Sequence, residues 1–241
     1  MDLGQSNVVT VVPASIVRAS LQRMRRIDPI DLVGQSLRVQ AGVVTQEVHD
    51  ACREHGLTWP VDLASKGSST IGGNVATNAG GVRVVRYGHA RKWVLGLQVV
   101  TAEGDVLELG GALEKDNSGL DLRQLFIGSE GTLGIITEVT LKLTRLPGPT
   151  EVLLLAVADV AAAMALFQQV RRLPGHVQAF EYLTDFCLGE VCRHRGLPRP
   201  LRASDGGYVL VELETAPGTD LDAWLEPRLL DGTLVDGTRA T

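Results

Sequence analysis

Aromatic residues make up only 4% of the 241-residue chain, and there are just three cysteines. Cys52, Cys187 and Cys192 follow no regular spacing. That excludes a disulfide framework and points to a reducing compartment, the cytoplasm. No apolar run reaches the length of a membrane span. Asp2, Gly4 and Gln5 follow Met1 without a basic n-region or an apolar h-region, so no signal peptide is expected. Basic residues are the minority: 23 Lys and Arg stand against 28 Asp and Glu, a net charge of −5. Without a basic block, a nucleic-acid partner is not expected. No repeat of fixed period occurs. What the chain has in excess is glycine, 27 residues. The remainder, 44% hydrophobic and 21% charged, is a globular balance sufficient for one large or two small domains. Many glycines and few aromatics suggest a backbone that comes close to a ligand.

Local patterning gives an α+β succession. Arg38 to Val43 alternates as a strand. A helix follows, capped by Thr45, with Val44, Val48, Ala51, Cys52 and His55 on one face and Gly56 as its stop. Leu57 to Leu63 reads as extended. Val94 to Thr101 and Val106 to Leu109 form a hairpin about Glu103-Gly104-Asp105. Ile135 to Leu143 is a half-buried strand. Pro147-Gly148-Pro149 marks a boundary, dividing residues 1–147 from 148–241. Beyond it lie strands at Val152 to Val157, Val177 to Tyr182 and Tyr208 to Leu213. Helices alternate with them. Val160 to Arg172 is capped by Asp159, with Val160, Met164, Phe167 and Val170 inward. Thr184 to Arg195 and Asp220 to Leu230 follow, the last broken or bent at Pro227.

The common nucleotide and nucleophile signatures are missing. There is no G-x-G-x-x-G after a strand, no G-x-x-x-x-G-K-[ST] and no G-x-S-x-G. The five histidines form no metal-ligand pair. His49 and His55 are assigned to packing or surface on the early helix, and His89 to a solvated loop. Cys187, Cys192 and His194 suit no common zinc spacing, so no metal site is assigned. No cysteine cluster could carry an iron–sulfur centre. Two Gly/Ser/Thr segments remain, Lys66 to Gly81 and Gly128 to Thr137. Their bare N–H groups suit a phosphate or a polar heterocycle. Tight turns between strands explain the same composition, and the residues alone leave both readings open.

The run Pro60-Val-Asp-Leu-Ala-Ser-Lys-Gly-Ser-Ser-Thr-Ile-Gly-Gly-Asn-Val-Ala-Thr-Asn-Ala-Gly-Gly81, then Arg86-Tyr87-Gly88, Val94-Leu95-Gly96-Leu97 and Gly128-Ser-Glu-Gly-Thr-Leu-Gly-Ile-Ile-Thr137, resembles the FAD-binding domain of the PCMH-type (vanillyl-alcohol-oxidase) superfamily. Phe180-Glu181-Tyr182 and Tyr208 to Thr215 resemble the start of the substrate domain of its flavin-linked D-2-hydroxyacid dehydrogenases. The D-2-hydroxyglutarate branch fits best, ahead of D-lactate dehydrogenase and the glycolate oxidase flavoprotein subunit. The resemblance implies two α+β subdomains followed by part of a ferredoxin-like substrate (cap) domain. It also implies non-covalent FAD, since no histidine in the glycine segments offers an attachment point.

By the same resemblance, Asp62, Leu63, Ala64, Ser65, Lys66, Gly67 and Ser68 would line the flavin pyrophosphate and ring, with Ser69, Thr70, Gly72, Gly73 and Asn74 continuing the loop. Thr77, Asn78, Ala79, Gly80 and Gly81 would pack near the pyrophosphate and isoalloxazine. Glu130, Gly131, Thr132, Leu133, Gly134, Ile135 and Ile136 would hold the adenosine half, largely through backbone. The implied reaction is oxidation of a D-2-hydroxy acid to the 2-oxo acid, with a carrier protein or quinone as electron acceptor. Two departures stand out. The family's glycine-rich pyrophosphate loop is represented only by Leu3-Gly4-Gln5-Ser6-Asn7. The family's substrate-binding arginine and metal-and-substrate histidines fall beyond Thr241. The expectation is therefore a chain truncated at both ends with its catalytic residues outside it. The alternative is an inactive FAD- or nucleotide-binding fragment.

Overall fold

In the computed structural model the described residues are 8–11, 16–117, 119–202 and 204–240, without the side chains of 8–11 and 16–18. The Leu3 to Asn7 stretch lies outside them. Contacts divide the chain into two units. One comprises residues up to Gly81 together with Gly88–Leu146, the other Val82–Tyr87 with Pro147–Thr241.

The first unit opens with the antiparallel pair β1 (Val8–Val11) and β2 (Ile16–Ala19). Then come β3 (Ser36–Gln40), α1 (Thr45–Arg53), β4 (Leu57–Thr58) and α2 (Ile71–Ala76). The chain leaves the unit for six residues, which include the helical turn α3 (Val84–Tyr87). It returns through a 3-10 turn (Ala90–Trp93) into β5 (Val94–Val100), β6 (Val106–Gly110), α4 (Arg123–Phe126), β7 (Ile135–Lys142) and β8 (Thr144–Arg145). The sheet runs β3-β7-β5-β6, antiparallel throughout. β5 is apolar almost residue by residue, as a central strand requires, and buries Val94, Leu97 and Val99. Leu37, Val39, Val139 and Leu141 present alternate positions to a core shared with Val48, Trp59, Ile71 and Val75. On β7, the buried Glu138 is held by Arg26 (2.5 Å) and Arg38 (2.6 Å), so its charge is paired rather than abandoned.

Helix α1 differs from its sequence reading in two respects. Val44, not Thr45, occupies the N-cap, and the Glu47 carboxylate accepts its N–H (3.2 Å). Thr45 is turned inward and fully buried. The buried face carries Val48, His49 and Cys52, while His55 is exposed. The hairpin about Gly104 forms as expected, with Gly104 left-handed (φ 90°).

The second unit has β9 (Thr150–Ala156), α5 (Val160–Val170), β10 (Gly175–Leu183), α6 (Asp185–Arg195), β11 (Tyr208–Thr215), α7 (Leu221–Leu230) and β12 (Asp236–Ala240). Its sheet runs β10-β11-β9-β12, all antiparallel. That is the ferredoxin-like order with α6 added between the second and third strands. Leu153, Leu155, Leu166, Val209 and Val211 lie at its core. Asp159 caps α5 through Ala162 N–H (2.7 Å). The inward face of α5 is Ala163, Leu166 and Val170, whereas Val160 and Met164 are exposed. Of the four residues expected inward, Val170 is buried and Phe167 half-buried against Phe180, whereas Val160 and Met164 miss the packed stripe, which this alanine-rich helix turns toward Ala163 and Leu166. α7 continues through Pro227. Within this unit Arg83 forms a two-pronged ion pair with Glu212 (2.8 and 3.2 Å).

Candidate functional site

The segment from Asp62 to Gly81 is built onto the start of α1. The helix's first N–H groups lack intrahelical acceptors, and here Thr45 N–H donates to Ser69 O (2.9 Å) and Gln46 N–H to Lys66 O (3.0 Å). Inside this junction Asn74 Nδ2 donates to Thr45 Oγ1 (2.6 Å), and Thr45 Oγ1 donates to Ser69 O (3.0 Å). Asp62 and Lys66 pair across one turn (2.8 Å). Beneath the loop, buried His49 places Nε2 3.0 Å from Trp59 O. Burial lowers its pKa below the ordinary histidine value, with nearby Asp62 opposing and Lys66 assisting.

The second segment meets the first directly. Gly128 N–H donates to Val75 O (3.1 Å) and Glu130 N–H to Ala76 O (2.9 Å). Left-handed backbone collects at this seam: Asn78 (φ 48°), Gly81 (112°), Gly128 (83°), Glu130 (53°) and Gly131 (81°). Such torsions are uncommon outside glycine and concentrate where a chain is shaped for a ligand. Among the described residues, the N–H groups of Gly67, Gly80, Gly131 and Leu133 find no acceptor.

The sequence-selected residues separate by depth. Ala64, Ser65, Gly67, Ser68, Gly73 and Thr77 are exposed on the first segment, as are Glu130, Gly131, Thr132, Leu133 and Ile135 on the second. Asp62, Leu63, Lys66, Ser69, Thr70, Asn78, Ala79, Gly80, Gly81 and Gly134 are half-buried. Gly72, Asn74 and Ile136 are buried. Thr70 caps α2 through Gly73 N–H (3.4 Å), and Thr77 Oγ1 returns to Gly73 O (3.0 Å). His89 is exposed, at the start of the 3-10 turn.

Two glycines show how packing and open space divide the loop. A Cβ on Gly81 would stand 2.0 Å from Asp62 O, so the fold itself demands glycine there. Gly67 has no left-handed torsion, and a Cβ on it would meet no protein atom within 4 Å. The room around Gly67 and the open N–H groups of the two loops fit a bulky anionic cofactor such as FAD.

The comparisons with known proteins bear on this geometry. Residues 4–110 match the family described as an FAD binding domain. The solved structure of alkyldihydroxyacetonephosphate synthase superposes with a TM-score of 0.64 at 21% identity, covering 90% of this chain and 42% of that one. Residues 4–110 are thus similar to an FAD binding domain, and the chain shares its fold with that synthase. Its relatives include D-2-hydroxyglutarate dehydrogenase of Xanthomonas citri pv. viticola, 48% identical over 193 residues, spanning 80% of this chain and 40% of that protein. The mitochondrial D-2-hydroxyglutarate dehydrogenase of Bos taurus is 45% identical over 204 residues, spanning 83% and 37%. That of Danio rerio is 39% identical over 238 residues, spanning 97% and 44%. The chain thus spans about two fifths of the length of the relatives it matches. Among its described residues no helix is long and apolar enough to cross a membrane, and no His, Cys, Asp and Glu group is arranged to hold a metal.

One residue at the seam escaped the sequence reading. Arg91 hydrogen-bonds Asn78 of the first segment and Ile127, the residue before the second, but it stands ten residues beyond one segment and thirty-seven before the other. No local spacing could have signalled it.

Proposed function

We propose that this chain is the FAD-binding portion of a D-2-hydroxyacid dehydrogenase, with residues 1–147 as the cofactor domain and 148–241 as part of the substrate domain. The observation that carries this reading is the seam of two glycine-rich segments, joined by main-chain hydrogen bonds and leaving N–H groups open. Open N–H groups and nearby hydroxyls recognise pyrophosphate oxygens without a fixed charge. Asp62 to Ser68 and Thr77 to Gly81 would face the pyrophosphate and the ring, and Glu130 to Ile135 the adenosine half, while Gly72, Asn74 and Ile136, which are buried, would support these segments from within. FAD, when bound, supplies a two-electron acceptor for the hydride from the hydroxyl-bearing carbon. The protein's share is to hold that acceptor in place and exclude water. Binding is non-covalent.

The names of the relatives favour D-2-hydroxyglutarate as substrate, with D-lactate and glycolate as competitors to be assayed beside it. A carrier protein or quinone takes the electrons. The three free thiols fit a reducing compartment, the cytoplasm in a bacterium. The bovine and zebrafish relatives are named mitochondrial, so this last point follows the host.

A second reading is an FAD- or nucleotide-binding fragment without turnover. It is favoured by the titratable side chains of the two segments, which are only Asp62, Lys66 and Glu130, with Asp62 paired to Lys66. One experiment separates the two. The purified chain is titrated with FAD while visible absorbance and flavin fluorescence are followed. D-2-hydroxyglutarate, D-lactate and glycolate are then added with a dye acceptor. Saturable binding with dye reduction by one substrate supports the dehydrogenase reading. Binding without reduction supports the fragment. No FAD binding overturns the dehydrogenase reading and the FAD-binding fragment, and a titration with ATP in place of FAD then decides the nucleotide-binding one.

A further inference from the structure

Arg91 lies outside both glycine-rich segments, yet it is hydrogen-bonded to the first and to Gln124 and Ile127, which lead directly into the second. Its main-chain N–H donates to Asn78 Oδ1 (3.0 Å), and the preceding Ala90 N–H donates to Ala79 O (2.8 Å). Its side chain turns the other way. Nη1 donates to the Gln124 carbonyl (2.9 Å) and to Gln124 Oε1 (2.5 Å), and Nη2 donates to the Ile127 carbonyl. These carbonyls lie on and just after the short helix α4, where main-chain acceptors lack intrahelical donors. Gly128, though exposed, lies beside both attachments. A Cβ there would stand 3.2 Å from Asn78 Cβ and 3.4 Å from Arg91 Nη2. All the guanidinium's acceptors are neutral, and among the described residues no carboxylate pairs with it.

We infer that Arg91 is the positioning residue of the cradle, fixing the separation between Asn78 and the Gly128–Gly131 turn, and with it the spacing of the open N–H groups. The inference rests on the reading of this cradle as the FAD site. The main-chain bonds Gly128 to Val75 and Glu130 to Ala76 join the segments at one place. Arg91 adds a second attachment through different residues, and two attachments fix an orientation that one leaves free. The role needs a planar fork that reaches two carbonyls together. A lysine ammonium has three donors but no fixed planar fork, so it does not hold the two carbonyls at a set separation.

The test compares the full chain with Arg91→Met, Arg91→Lys and Gln124→Leu. Three quantities are read: FAD affinity by fluorescence quenching, the visible circular dichroism of the flavin at saturating FAD, and amide exchange of residues 128–133 without FAD. Arg91→Met is expected to weaken FAD binding roughly tenfold or more, the scale of one lost charge-assisted hydrogen bond. It should also change the dichroic band of the flavin that does bind, and speed exchange at residues 128–133. Arg91→Lys should restore only part of each. An Arg91→Met chain that melts lower but keeps the original affinity and dichroic band overturns the inference, because a merely structural arginine would behave so. If Arg91→Met does not fold, Gln124→Leu decides. It keeps the two carbonyl bonds and should shift affinity and exchange in the same direction by less, and unchanged values overturn the proposal. Should the unaltered chain bind no FAD, the proposed function fails. Exchange at residues 128–133 still decides whether Arg91 holds the segments together, and unaltered exchange in Arg91→Met overturns that too.

Discussion

At the scale of single residues, glycine in the cofactor loop answers to two different demands, and substitutions tell them apart. Gly81 is required by its own backbone: φ is 112° and any Cβ would collide with Asp62 O. Gly81→Ala is expected to destabilise the FAD-free chain by more than about 2 kcal/mol, measured by urea unfolding. Gly67 answers to neither backbone nor packing. Gly67→Leu is expected to leave FAD-free stability within about 0.5 kcal/mol, as surface changes do, and to weaken FAD binding at least tenfold. If Gly67→Leu binds FAD normally, the first loop is only a turn. Both residues look alike in the sequence. The cluster of glycines was visible there, but which ones face open space depends on contacts that only folding creates, such as Gly81 against Asp62 O and Gly72 against the Ala41 side chain. His49 gives a second residue-level test. Its folded pKa is lowered by burial, so the unfolded chain binds a proton that the folded chain refuses. Stability is therefore whole above the ordinary histidine value of about 6.5 and falls as the pH drops below it toward the folded pKa. Thermal melts between pH 7.5 and 5 should show this slope in the parent chain and a shallower one in His49→Gln. Equal slopes would remove His49 from the account.

Among elements, legibility followed apolar content. β5 and β7 carry apolar residues in central-strand and alternating patterns, and their spans were readable to within a residue. β12, with the sequence Asp-Gly-Thr-Arg-Ala, has no apolar period and gave no local signal. It is a strand because it pairs with β9 from Asp236 to Ala240. The ferredoxin-like order of the second unit follows from that pairing, which is a long-range fact. Helix α5 shows the opposite limit. Its helical period was plain, but the face was only half legible: the expected stripe of Val160, Met164, Phe167 and Val170 shares Val170 with the packed stripe of Ala163, Leu166 and Val170, and Phe167 borders it. The packed face predicts an asymmetry. Leu166→Ala should cost about 2–5 kcal/mol through the cavity left among Leu153, Leu155 and Val209. Met164→Ala should cost less than about 0.5 kcal/mol, because the side chain is exposed. Chemical unfolding of the two variants reads the difference, and equal costs would mean that the helix is turned otherwise.

For the molecule as a whole, the two cores share no residue. One gathers Leu37, Val39, Trp59, Ile71 and Val139, the other Leu153, Leu155, Leu166, Val209 and Val211. The cradle belongs to the first alone: Asp62 to Gly81, Arg91 and Gly128 to Ile136 all lie in the first unit. A ligand stabilises whatever must be folded to bind it. At a free concentration one hundred times its Kd, FAD should add about 2.7 kcal/mol to the first unit. For a unit of this size that is roughly 5–10 °C in melting temperature. The second unit supplies none of these residues, so FAD gives it no such direct stabilisation. Calorimetry with Leu166→Ala resolves the two, because that substitution lowers the second unit's transition without touching the cradle. FAD is expected to raise the transition that Leu166→Ala leaves in place. A uniform rise of both transitions would mean that the units unfold as one cooperative body. A shift confined to the transition that Leu166→Ala lowers would place the cofactor on the second unit and refute the cradle formed by the two glycine segments.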